Sequence, residues 1–159
     1  MTELTRSRIA EIEREVAQQA FTVFDQKHAL DLGRLLLATS ESEGLRIGMG
    51  IDLGDQVTFR AALPGTNADY QFWIDRKFAA VRRFGKASMQ LELLAELEPE
   101  FARERALDPS RYVLCGGAVP LLVGPCIVGV IGCSGLPSFE DHRLIIRTLA
   151  TYRKAIGAG

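Results

Sequence analysis

Glu140, Asp141 and His142 stand side by side in SGLPSFEDH (134–142), and such a trio can supply a ligand donor, an acid-base pair or a helix cap. Histidine is the side chain whose ordinary pKa puts proton exchange near neutrality. The structural alternative reads Ser138 as an N-cap, Asp141 three residues on as its capping-box partner, and both carboxylates as first-turn acids at the positive end of a helix dipole. That accounts for the acids. It leaves His142 either in a capping network or as a nitrogen donor, with the helix end opposing its protonation and the two acids favouring it. Pairing Asp141 with His142 as acid and base is poorly arranged, because consecutive helix residues do not face each other. His28, near Asp25 and Asp31, reads as a helix-terminal surface residue.

A second group is cationic: Arg76, Lys77, Arg82, Arg83 and Lys86 fall within 11 residues that hold no acid, and Glu92, Glu96, Glu98, Glu100 and Glu104 follow. Each is either a solvated face or half of a contact, the basic helix meeting an anionic ligand or the acidic segment of a neighbouring subunit. Arg76 and Arg83 lie two turns apart. Cys115, Cys126 and Cys133 form no C-x-x-C pair and have no histidine at a zinc-like spacing, so they read as reduced, buried small hydrophobes.

These residues need elements to hold them. Ile9, Ile12, Val16 and Ala20 mark one helix, and Leu30 to Ala38 a second that Gly44 can close. RIGMGIDLG (46–54) alternates as a strand with Gly48, Gly50 and Asp52 on a bare face, left open for a ligand or for close packing, and Gly54-Asp55 turns it into QVTFRAAL (56–63). Thr66 or Asn67 can cap a helix carrying Ile74, Phe78, Val81 and Phe84, with Trp73 expected to anchor it on the sheet, and Gly85 to end it. A further helical stretch, 87–105, breaks at Pro99. Around the turn Gly124-Pro125 lies a second hairpin, whose Pro120 implies an edge strand or a bulge; an amphipathic helix with Ile145, Leu149, Tyr152 and Ile156 closes the chain. The pattern predicts an α+β fold, an antiparallel sheet of about four or five strands covered by helices in a three-layer-like domain.

At 159 residues, 47% apolar and 25% charged, the chain suits a single domain spanning 1–159, with 1–24 as an N-terminal helical extension. A net charge of −1 gives no general attraction to nucleic acid or to anionic lipid. The N-terminus has no apolar h-region and no apolar run approaches the roughly 20 residues that span a bilayer. The expectation is a cytoplasmic protein without nucleic-acid or membrane partners.

Five stretches in order, LPGT (63–66), WIDRK (73–77), RFGKAS (83–88), GGAVP (116–120) and VGVIGCSGLPSFEDH (128–142), make the chain similar to the cytoplasmic branch of the heme-degrading-domain family, related to the HbpS-like and GlcG-like proteins. The resemblance covers about residues 25–155. It implies an antiparallel sheet flanked by helices, a homo-oligomer, and a heme-binding or heme-degrading role. The chain departs from the family pattern at Ser138-Phe139 and at Ala87, and keeps Asp141 and His142.

The leading reading is an oligomeric small-ligand-binding protein for heme, another tetrapyrrole or another anionic metabolite. Its pocket is expected between the turn with Gly65 and Thr66, the Gly116-Gly117 loop, Ser134 and the start of the last helix with Asp141. Arg76 or Lys77 would pair a ligand carboxylate, and His142 would donate to iron. The alternatives are an oligomeric scaffold or adaptor without catalysis, and an enzyme using His142 as acid or base.

Overall fold

Two tight turns build the sheet. Gly54 and Gly124, at φ of 55° and 57°, join β1 (Gly48–Leu53) to β2 (Gln56–Ala62) and β3 (Ala118–Val123) to β4 (Cys126–Ser134). β1 pairs antiparallel with β4, giving the order β2-β1-β4-β3 in a computed structural model that describes residues 2–158. Helices α1 (Thr2–Ala17), α2 (Gln26–Ser42) and α6 (Ser138–Ala155) pack on one face, where Leu32, Leu36, Leu144 and Ile145 meet Met49, Ile51, Val119 and Ile131. On the other face α3 (Ala68–Phe84) sets Ile74, Phe78 and Val81 against Ala118 and Val130. A satellite cluster of Ala80, Leu91 and Phe101 joins it to α4 (Ser88–Leu97) and α5 (Phe101–Glu104). The fold is α+β, three layers around four antiparallel strands.

The bare face of β1 is used for packing. A Cβ at Gly48 would stand 3.2 Å from Ile74 Cδ1, and one at Gly50 would overlap the Arg60 guanidinium. Arg60 lies there because Asp52, on the same face, is buried: Arg60 Nη1 is 2.7 Å from its Oδ1, and Arg82 binds its other oxygen. Asn67 accepts from the Asp69 amide to start α3, and Gly85, at φ 66°, ends it in the left-handed conformation. His28 is the capping-box partner of Asp25 at the start of α2. α1 places Ile12 and Val16 in the main core. Pro120 lies in edge strand β3, beside a register shift at Leu121/Leu122.

Two expectations are corrected. Trp73 is not a sheet anchor: it is only part-buried, with the Arg76 guanidinium 4.5 Å over its ring. Ile74 and Phe78, four apart on one stripe, do the anchoring. Of the cysteines only Cys133 is buried; Cys126 is exposed beside the second turn and Cys115 is half-buried. Phe78→Ala is therefore expected to cost about 3–5 kcal/mol in urea unfolding, and Trp73→Ala less than half as much.

Candidate functional site

At the end of the sheet a cleft of about 460 Å³ opens between the first half of α3, Cys115, and the 134–138 segment that leads into α6. Asp69, Trp73 and Lys77 recur every fourth residue along α3 and so share a stripe, with Tyr70 beside it. Leu136 and Pro137 form part of the opposite wall, and Ser134, Lys77 and Asp141 bring polar atoms to it.

Lys77 and Asp141 are 3% and 1% exposed. Lys77 Nζ lies 3.2 Å from Asp141 Oδ2 and donates to the Cys133 carbonyl at 3.0 Å. Asp141 Oδ1 accepts from the Leu136 amide at 3.2 Å and stands 3.4 Å from Cys133 Sγ. Burial raises the Asp141 carboxyl above its ordinary value, opposed by Lys77 and by the Leu136 amide. The Cys133 thiol is pushed well up by burial and by Asp141, so it stays a thiol. Burial first, then Glu92, raises Cys115. Gly117 has φ 125°, and a Cβ there would sit 2.7 Å from the Cys133 carbonyl and 2.8 Å from Lys77 Nζ, so the pair closes only over glycine. Gly116 donates its amide to Glu92 at 2.7 Å.

The start of α6 differs from the sequence reading. Pro137, at φ −52° and ψ 144°, is the N-cap residue and supplies no side-chain oxygen; Ser138 is already helical. There is thus no Ser138–Asp141 capping box, because the Asp141 carboxylate turns inward to Lys77. His142 points elsewhere: it is 1% exposed, with Nε2 3.2 Å from Glu15 on α1 and Nδ1 buried without a partner among the described residues. Burial lowers its pKa, and Glu15 opposes.

Of the anticipated site residues, Lys77, Ser134 and Asp141 line the cleft, and Gly116 and Gly117 support it next to Cys115. Gly65 and Thr66 pack elsewhere, Gly65 against Arg46 and Thr66 Oγ1 on the Leu63 carbonyl. Neither they nor His142 line the cleft. Arg76 lies over Phe72 and Trp73 and donates to the Pro109 carbonyl, while Arg83 donates to the Arg105 carbonyl, so together they hold the 105–109 segment. Arg82 also binds Asp52 and Lys86 lies 3.9 Å from Glu13, while Arg82 and Arg83 stay exposed. Sequence reasoning missed Tyr70, Trp73 and Cys115 as lining. The four-residue spacing of Asp69, Trp73 and Lys77 was the available signal. Among the described residues no three His, Cys, Asp or Glu side chains converge to hold a metal, and no helix is long and apolar enough to cross a membrane.

Residues 24–150 match the family described as haem degrading protein HbpS-like. The chain belongs to the HbpS-like family. It is 36% identical to a UPF0303 protein of Brucella anthropi over 150 residues, 93% of this chain and 89% of that one. To a UPF0303 protein of Mesorhizobium japonicum it is 37% identical, over 91% and 87% of the two chains. Among solved structures, Ybr137w superposes with a TM-score of 0.84 at 24% identity, covering 97% of this chain and 94% of that chain. A PduOC:heme complex gives 0.66 at 17%, over 82% and 94%. HbpS gives 0.65 at 16%, over 82% and 90%. These structures share the fold.

Two outcomes follow. Lys77→Met strands the Asp141 carboxylate in the interior and is expected to cost about 3–5 kcal/mol, of which Lys77→Met/Asp141→Asn regains a large part in urea unfolding. The lowered pKa of His142 means that, as pH falls below its ordinary 6.5, the unfolded chain takes up a proton that the folded chain resists. Its contribution is present above 6.5 and is lost as pH falls through the folded value. Asp141 works in the opposite sense, its contribution being full below 3.8 and lost as pH rises through the raised folded value. Urea midpoints compared at about pH 7.5 and about pH 5.5 should therefore show an acid-side loss that His142→Gln reduces.

Proposed function

We propose that this chain is a homo-oligomeric small-ligand-binding protein whose site is the cleft between α3 and the start of α6. The observation that carries this reading is the pairing, within about 460 Å³, of an aromatic wall of Tyr70 and Trp73 with a few convergent polar groups, Lys77, Ser134 and Asp141. Ligand sites have this make-up and size. An anionic metabolite fits the polar side. Asp141 and His142 face different partners, so an acid-base role for His142 gains no support from the geometry. The outer edge of β2, where Val57 is 60% exposed, supports self-association.

A tetrapyrrole is the second reading, supported by the description of the family and by the haem complex of a structural relative. The residues here do not fit an iron ligated by His142, whose ring is enclosed between α6 and α1 and does not line the cleft. A haem in this cleft would be held through its ring face against Tyr70 and Trp73, and His142→Ala would leave a hemin Soret shift intact.

A thermal-shift screen of small metabolites and hemin tests the main reading. At least one compound should stabilise the wild type, and Trp73→Ala should lose the shift. If no compound stabilises the protein, the adaptor reading replaces this one; a monomer in light scattering at micromolar concentration would overturn the oligomer.

A further inference from the structure

We infer that the cleft takes a flat monocarboxylic acid, with its carboxylate at the start of α6 and its ring against Trp73; this rests on the cleft being the binding site. Three observations converge. α6 is an 18-residue helix whose N-cap residue is a proline without a capping side chain. The amides of Ser138 and Phe139 find no acceptor among the described residues: of the two acids in the first turn, Asp141 turns to Lys77 and Glu140 lines a different cleft. Ser134 lines the same cleft, is 8% exposed, and its hydroxyl has no partner among the described residues. An incoming carboxylate would satisfy this hydroxyl and the two amides together.

The charge balance selects a monoanion. Lys77 and Asp141 neutralise each other, and Asp69 also lines the cleft, so no free cation stands there among the described residues. A helix end supplies about half an elementary charge. That suits one carboxylate; a phosphate dianion would bring a second negative charge beside Asp69 with no free cation in the lining to offset it. The flat ring is selected by the walls: Tyr70 and Trp73 on one side, Leu136 and Pro137 on the other.

Trp73 is the single tryptophan of the chain, so its fluorescence reports on the cleft directly. Benzoate should quench it saturably at millimolar concentration, whereas benzamide, with the same ring and no charge, and inorganic phosphate should not. Ser138→Pro removes one free amide at the first helical position, where proline is tolerated, and Pro137 at ψ 144° already has the conformation that precedes proline. This variant and Ser134→Ala should each weaken benzoate about tenfold, the loss of one charge-assisted contact. Benzamide binding as tightly as benzoate, phosphate outcompeting it, or full affinity in both folded variants would each overturn the inference. The benzoate–benzamide comparison on the wild type needs no variant to fold. If benzoate is silent while a neutral aromatic or hemin quenches saturably, the carboxylate inference falls and the cleft remains. If nothing perturbs Trp73, both fall.

Discussion

The contact between Lys77 and Asp141 ties the two helical layers together around the end of the sheet. Lys77 comes from the layer on one face and Asp141 from the layer on the other, 64 residues apart in the chain. To meet, they pass the end of β4, where the Cys133 carbonyl and the Leu136 amide complete their hydrogen bonds. Buried pairs of this kind recover little net free energy, because taking both charges out of water offsets most of their attraction. Their effect is on geometry: once the pair is enclosed, neither charge can be left alone, so α3, the 134–137 segment and α6 keep one relative position. Gly117 belongs to the same constraint, since any side chain there would occupy the space of the ammonium group.

α3 carries the electrostatics of its layer in a second place as well. Arg82, five residues after Lys77, binds Asp52, which Arg60 also binds, and Arg60 lies 5.0 Å over Phe78. The helix is thus fastened by one ion pair at the end of the sheet and by another over β1, with Ile74 and Phe78 packed in the same layer. A fastened helix presents Tyr70 and Trp73 with little freedom, as a pre-organised binding wall requires.

Much of this was legible in the sequence, and the parts that were not have a common cause. The hairpins, the close of α3 at Gly85 and the edge position of Pro120 follow from local chemistry: turn residues, a left-handed glycine, a missing amide hydrogen. Local chemistry also predicted a capping box from Ser138 and Asp141, and there it failed, because a partner 64 residues away competed for the carboxylate and a proline took the cap position. Trp73 was misplaced for a related reason. Its neighbour Ile74 fills the sheet-facing stripe, and spacing alone does not say which of two adjacent large residues faces the strands. The burial of His142 depends on α1, which precedes the stretch matched by the family.

The two margins of the sheet are unequal. At the β3 margin Pro120 has no amide hydrogen, and Phe21 already occupies the far end, donating to the Leu122 carbonyl at 2.8 Å and accepting from Gly124 at 3.0 Å. The β2 margin has no such stopper among the described residues. A sheet with one usable margin can join a second copy by strand pairing, but the product presents only blocked margins and cannot add a third. Two copies paired along β2 would carry Pro120 and Phe21 at both outer margins and leave no free strand edge for a third.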